Sequence, residues 1–206
     1  MAVVSNGTTI IDAGALGSGV PAGKMILIKT LTASSSATLS FVDGAASVVL
    51  DATYDSYVFK FINVHQATDV ATLSFQVSTD GGSSYGVNIT STFFYATLGE
   101  GGASAGVHYW TARDLAQSTS FQMLGEDAGN DSDQCYGGEL KFFSPSSDTF
   151  VKHFMSQVQS TQRTDYSVRA MTAGYVNTTS AVNAVQFKMT SGNIDSGVIK
   201  LYGIGG

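Results

Sequence analysis

Apolar and polar residues alternate one for one in several parts of the chain, and this pattern restricts the fold more than any other feature of the sequence. In residues 71–78 every odd position is apolar and every even position is polar, and the same alternation occurs in residues 38–41, 139–142 and 185–190. Successive side chains of a β-strand point to opposite faces, so each segment predicts a strand with one face packed and one in water. Such sheets are antiparallel as a rule.

Seven further segments bring the prediction to about eleven strands, separated by turns in which Gly, Asp, Asn and Ser tolerate positive φ. Several of these segments are apolar on both faces, which predicts central strands or strands covered by a neighbouring subunit. Helical periodicity is limited to one possible turn in residues 112–117. The seven segments are residues 25–32, 57–64, 89–97, 118–123, 151–158, 166–173 and 197–202.

Short strands with frequent turns predict an all-β fold, an antiparallel β-sandwich of the jelly-roll type, with residues 24–206 as its single domain. Residues 1–23 are rich in Gly, Ala, Ser and Thr. They predict an extended N-terminal arm, with a partly ordered tail as the alternative. Residues 99–106 are expected to form a flexible loop, and residues 125–138 an acidic, polar loop.

Composition and charge exclude several classes of protein. Only 13% of the residues are charged and the net charge is −6, so the basic patches that bind nucleic acid are not expected. A single cysteine, Cys135, permits no intrachain disulfide and predicts a small buried side chain. No segment approaches the roughly 20 apolar residues of a membrane helix, and no positive start precedes an apolar core, so neither a membrane anchor nor a secretory signal is expected.

Three short motifs resemble catalytic or nucleotide-binding signatures but lack their context. Residues 82–86 match G-x-S-x-G, yet a strand rather than a helix is predicted to follow, so a β-turn is the preferred interpretation. Residues 17–22 imitate the G-x-G-x-x-A dinucleotide motif, again with no helix after them. Gly23 and Lys24 fail as a phosphate loop because Ser18 and Met25 stand where a glycine and a magnesium-binding hydroxyl are required.

The candidate ligand residues form no recognisable metal or catalytic pattern. The three histidines are isolated, which argues against zinc. An acidic group in residues 126–133 could hold calcium, although its spacing fits no EF-hand and a solvated loop is the alternative. We therefore predict no catalytic, cofactor-binding or metal-binding residues, and no enzyme. The residues concerned are His65, His108 and His153, and Glu126, Asp127, Asn130, Asp131 and Asp133.

Four aromatic residues lie in or beside the predicted loops: Tyr85, Tyr95, Tyr109 and Trp110. Aromatic side chains on loops can stack on sugars, and they are equally common in protein interfaces and at the margin of a core. A carbohydrate-binding surface around Tyr109 and Trp110 is therefore one of the readings that the sequence leaves open.

Several segments of the second half resemble structural proteins of tailed phages, marine ones in particular. The resemblance covers about residues 35–204 and includes residues 71–92. It implies a virion protein of the tail-fibre or capsid-surface type, without catalytic residues, and it does not include the N-terminal arm. The segments are DLAQSTSFQ (114–122), FSPSSDTFVKHF (143–154), AGYVNTTSA (173–181), QFKM (186–189) and GVIKLYGI (197–204).

Three functional hypotheses follow. The first is a non-enzymatic virion structural protein, a capsid-decoration protein or tail-fibre module that forms a homotrimer and contacts major capsid or tail proteins. It would be assembled in the host cytoplasm and reside in the virion, with no cofactor, nucleic acid or membrane as partner. The alternative is a module that binds host-surface carbohydrate. The third is a glycan hydrolase, whose paired carboxylates need only be close in space.

Overall fold

The alternating segments of the sequence become strands in the computed structural model, which describes residues 3–6, 8–12, 15–16 and 25–205. All eleven predicted strands are present, and β9 and the three short strands β1–β3 are additional. One 3-10 turn among the described residues, Thr111–Arg113, overlaps the start of the helical turn predicted in residues 112–117. The strands are β1 (Val3–Ser5), β2 (Thr8–Asp12), β3 (Ala15–Leu16), β4 (Ile26–Thr32), β5 (Leu39–Val42), β6 (Ser56–Gln66), β7 (Leu73–Ser78), β8 (Ile89–Gly99), β9 (Gly106–Tyr109), β10 (Gln122–Met123), β11 (Tyr136–Phe143), β12 (Lys152–Gln162), β13 (Tyr166–Val176), β14 (Ala184–Met189) and β15 (Ile194–Ile204).

Two antiparallel sheets pack against each other and confirm the predicted all-β sandwich. The larger sheet has eight strands in the order β4-β15-β6-β11-β12-β13-β8-β9, and the smaller has four in the order β10-β7-β14-β5. A jelly roll has eight strands in two sheets, whereas twelve strands are divided here into eight and four. The jelly-roll form of the prediction is therefore not confirmed.

The predicted N-terminal arm contains a small sheet of its own, in which β1 pairs with β2 and β2 with β3, both antiparallel. Residues 1–2, 7, 13–14 and 17–24 lie outside the described residues. The extended arm as a whole consequently stays a prediction.

Phenylalanine rings from both sheets meet in the core. The Phe187 ring of the smaller sheet lies 5.2 Å from Phe59 and 5.4 Å from Phe61 of the larger sheet, measured between centroids. Phe75 makes a similar contact with Phe154 at 5.0 Å. All three pairs are edge-to-face, the geometry that brings the positive edge of one ring to the negative face of another. These contacts join the two sheets.

The polar face of β7 is buried, which corrects the prediction that the even positions of residues 71–78 face water. Gln76 is completely buried, and its side-chain amide donates to the backbone carbonyls of Val87, Thr119 and Ser120 at 3.0–3.1 Å. The Ser74 hydroxyl, also buried, donates to a carbonyl of β14. The alternation predicted the strand correctly, but segments distant in sequence cover its second face and satisfy its polar groups.

The larger sheet extends beyond the smaller one at its β13-β8-β9 end. There, residues 110–130 cover part of the inner face, which is the face directed towards the smaller sheet. The outer face is directed to solvent, as β12 illustrates with alternate buried and exposed residues along its length. Within the part of the chain that is described, no helix has the length and apolar character needed to cross a membrane.

Candidate functional site

A cleft of about 460 Å³ opens on the inner face of the larger sheet, between β8, β9, the start of β13 and the chain around residue 126. We call it the Tyr95 cleft. Its floor and walls combine aromatic rings, hydroxyl and amide groups, and one carboxyl group. The side chains used in the argument below are Tyr95, Thr97, His108, Glu126, Gln162 and Tyr166.

Two aromatic side chains of the Tyr95 cleft are placed by the pairing of β8 with β9. Tyr95 is directly opposite His108 in the register, and their ring centroids lie 5.0 Å apart with the planes tilted by 31°. Gly106 makes room for the imidazole, because a Cβ at this position would lie 2.8 Å from its Nε2 atom. The Thr97 hydroxyl lies 3.3 Å from the same nitrogen. The hairpin therefore presents a ring pair with a hydroxyl beside it.

Glu126 supplies the carboxyl group of the Tyr95 cleft. Its residue surface is only 6% exposed, and its Oε2 atom has no hydrogen-bond partner among the described residues. Burial raises the pKa of the Glu126 carboxyl, and the negative charge of Asp127 raises it further, while Arg113 and a hydrogen bond with Gln162 lower it in part. The site thus favours the neutral form of a buried acid.

Arg113 contacts the segment next to Glu126 through an ion pair and an aromatic ring. Its guanidinium is buried, pairs with Asp127 at 2.6 Å between Nη2 and Oδ1, and lies 4.2 Å from the centre of the Trp110 ring. Trp110 in turn lies 5.7 Å from the Tyr95 ring. A cation over an aromatic face is attractive, more so when both groups are desolvated. This cluster therefore links the ion pair to the aromatic wall.

Replacing Glu126 by glutamine is expected to stabilise the fold at neutral pH. Folding raises the pKa of Glu126, so ionisation of this residue destabilises the folded state. The destabilisation is absent when the pH is below the ordinary pKa of the group, near 4.5, and it develops as the pH rises through the folded-state pKa. Glu126→Gln has no such cost, so we expect its Tm to exceed the native value near pH 7. The difference should shrink as pH falls towards 4.

Thermal unfolding followed by circular dichroism across this pH range makes the measurement. Glu139→Gln is the matched control, because Glu139 is half exposed and paired with Lys60 at 3.0 Å. We expect no comparable gain for it. A Glu126→Gln difference that stays constant with pH would contradict the assignment of a raised pKa.

A second cleft of about 470 Å³ contains Cys135, His65 and Asp195. The His65 Nδ1 atom lies 3.7 Å from an Asp195 carboxylate oxygen. Cys135 is half buried, and burial raises the pKa of its thiol. A nucleophilic cysteine requires a lowered pKa, so this site lacks the activation that thiol catalysis needs.

The acidic and amide residues of segment 126–133, which the sequence suggested as a cluster, do not lie together in the structure. Glu126 lines the Tyr95 cleft, Asp127 pairs with Arg113, and the Asn130 amide donates to a backbone carbonyl. Asp131 and Asp133 are exposed. Across the described residues, no group of three or more His, Cys, Asp or Glu side chains is placed to hold a metal ion. The segment is also less solvated than predicted, since much of residues 124–136 is buried.

Other residues singled out from the sequence lie apart from the Tyr95 cleft. Residues 82–86 form a turn with no helix after it, and the Ser84 hydroxyl donates to Asp80, so the β-turn interpretation holds. Tyr109 projects from the outer face of the sheet, opposite to Trp110. His153 is exposed on β12 and lies against Tyr175. The motif in residues 17–22 and the Gly23-Lys24 pair lie outside the described residues.

Of the cleft residues, sequence reasoning drew attention to Tyr95, His108 and Glu126, but for separate reasons and without bringing them together. Gln162 and Tyr166 were missed as site residues. They flank the β12–β13 turn, and only the pairing of β13 with β8 places that turn beside Tyr95. The register of predicted neighbouring strands is the one sequence-level signal that could have indicated this.

Comparisons of the chain with protein-family models, with curated proteins and with solved structures find no match. The resemblance to tailed-phage structural proteins therefore stays a prediction, and the function is argued below from the site and the surface.

Proposed function

We propose that the chain is a non-enzymatic structural protein of a tailed-bacteriophage particle, a capsid-decoration (cement) protein or a tail-fibre module, which works by protein–protein assembly. One observation carries the proposal: an exposed apolar surface at the β9 edge of the larger sheet. We call this surface the apolar edge strip. Its members are the exposed residues Phe94, Leu98, Val107 and Tyr109 and the partly buried Met171.

The apolar edge strip is continuous because its members face the same way on adjacent strands. Phe94 is paired with Met171 on one side and with Tyr109 on the other. Val107 is 74% exposed and Tyr109 59% exposed. Contiguous apolar surface of this kind marks interaction sites, and β9, as the last strand of its sheet, offers backbone groups that another chain can pair with.

A second copy of the chain is the occupant that we propose for the strip. The net charge of −6 makes copies repel each other over most of their surface, whereas none of the five strip residues is charged. Closed symmetric homo-oligomers are the usual result of such self-association, and a trimer is the form that we propose. Contacts with capsid or tail proteins would then follow in the virion.

The non-enzymatic part of the proposal is supported by the carboxyl content of the Tyr95 cleft and by the thiol of the second cleft, although the second cleft contains two carboxyl groups, those of Asp133 and Asp195. Glu126 is the one carboxyl group among the described residues that line the Tyr95 cleft, whereas glycoside hydrolysis uses a pair. The Cys135 thiol of the second cleft is kept protonated by burial.

Light scattering on a sizing column tests the assembly. We expect a stable trimer, and we expect Val107→Glu to shift the mass towards the monomer because it places a charge at the most exposed residue of the strip. Phe150→Glu is the control, since Phe150 is equally exposed, at 73%, but lies on the 144–151 loop outside the strip. A monomeric native chain, or an unchanged mass for Val107→Glu, would contradict the proposed surface.

The virion assignment is tested separately, by mass spectrometry of density-purified particles of a phage that encodes the chain. Peptides of this protein in stoichiometric amounts are expected. Their absence from particles that are otherwise complete would overturn the assignment.

A further inference from the structure

The Tyr95 cleft contains an unsatisfied polar group that the assembly proposed above does not use. Buried polar atoms in folded proteins almost always have hydrogen-bond partners. The Oε2 atom of Glu126 is buried without one among the described residues, and Glu126 lines an open cleft. Rotation of the carboxyl group towards the cleft would let a ligand that donates a hydrogen bond satisfy it.

The other side chains of the cleft restrict what that ligand can be. Thr97, Gln162 and Thr164 offer neutral donors and acceptors, which suit hydroxyl groups. Tyr95 and Tyr166 present flat apolar rings, against which the C–H face of a sugar ring can pack, and the imidazole of His108 lies beside Tyr95. A few polar groups set among aromatic walls are typical of small-molecule sites, and the volume of about 460 Å³ lies within their usual range of about 300–1,000 Å³.

The charges of the cleft residues decide which of the remaining classes of ligand can bind. Lysine and arginine are absent from the described residues that line the cleft, so a phosphate or carboxylate would find no counter-charge and would meet Glu126. An organic ammonium ion would need an ionised Glu126, and burial and the charge of Asp127 both oppose that ionisation by raising its pKa. A neutral polyhydroxyl ligand requires neither a counter-charge nor an ionised Glu126, because a carboxyl group accepts hydrogen bonds from hydroxyls whether or not it is ionised.

We infer that the Tyr95 cleft binds one or two units of a neutral saccharide, with Tyr95 and Tyr166 as packing surfaces and Glu126 as the acceptor of sugar hydroxyls. The site differs from the surface around Tyr109 and Trp110 that the sequence suggested, because Tyr109 faces the opposite side of the sheet and Trp110 is covered by Arg113. The inference does not depend on the proposed assembly, and either can fail alone.

Saturation-transfer NMR with the native chain tests the inference, using methyl glucoside, methyl galactoside, methyl mannoside and N-acetylglucosamine as probes. Binding of at least one of them in the millimolar range is expected, with choline and glucuronate binding more weakly or not at all. The two cleft variants Glu126→Leu and Tyr166→Ala should each weaken that binding about tenfold or more. Glu126→Gln keeps an acceptor oxygen at the same position, so it should bind as the native chain does.

Tyr175→Ala is the matched control, because Tyr175 is on the same strand as Tyr166 but an odd number of positions away, and so lies on the outer face. It should bind as the native chain does. Failure of all four neutral sugars to bind, stronger binding of choline, or unchanged binding by both cleft variants would each overturn the inference.

Discussion

Replacing Phe187 by alanine is expected to lower the free energy of unfolding by about 3–5 kcal/mol, the usual cost of removing a large aromatic side chain from a packed core. Phe187 is completely buried, and its ring touches Phe59, Phe61 and Phe41. Because the contacts with Phe59 and Phe61 connect the two sheets, the cavity would lie at the centre of the sandwich, where neighbouring strands cannot easily collapse into it. Urea unfolding, followed by circular dichroism, measures the change.

Phe150→Ala is the control for this experiment. The same side chain is removed, but from a residue that is largely in solvent, so the change should stay within about 0.5 kcal/mol. Equal effects of the two substitutions would show that the contact between the sheets is not where the structure places it.

The second large effect is expected for Arg113→Met. Removing one partner of a buried ion pair costs about 3–5 kcal/mol, because the remaining charge stays buried without compensation. Asp127 is about one-third exposed, which points to the lower end of this range. The Trp110 ring also loses the guanidinium that lies over it. Urea unfolding again provides the measurement, with the fluorescence of Trp110, the single tryptophan, as a local probe.

Two further variants make this result specific. Arg169→Met removes an exposed arginine that is hydrogen-bonded to Gln157, and should cost no more than about 0.5 kcal/mol. Adding Asp127→Asn to Arg113→Met should recover part of the lost stability, because the unpaired negative charge of Asp127 is then removed. If Arg113→Met were as mild as Arg169→Met, the ion pair would not be the stabilising element that we describe.

The strands could be predicted from the sequence wherever a strand has its own alternation, as in β11 and β14. β9 was missed because it is short and follows a run of glycines, so its four residues resemble the end of a loop. The apolar residues of β9 face solvent, whereas in an alternating strand the apolar side chains are normally expected to face the core. Pattern alone indicates that a face is apolar, and it does not indicate what covers that face.

The candidate site could be predicted only in fragments, for a related reason. Glu126 sits in an acidic stretch that local composition describes as solvated. It is buried because an isolated bridge between Ala128 and Gln162 holds this stretch beside β12. Gln76 shows the same effect in β7, where carbonyls from distant segments take up its amide. In both cases the deciding contacts are non-local, and no window of the sequence contains them.

The position of β15 has a consequence for how the chain is made. β15 lies between β4 and β6 in the larger sheet, so its partners are synthesised long before it. Until β15 has left the ribosome, β4 has no neighbour in the sheet as described and this edge of β6 stays open. Pairings between distant parts of a chain close slowly, and open edges recruit other chains. We therefore expect the larger sheet to be completed only after β15 has been synthesised, with a period beforehand in which the nascent chain depends on chaperones to avoid aggregation.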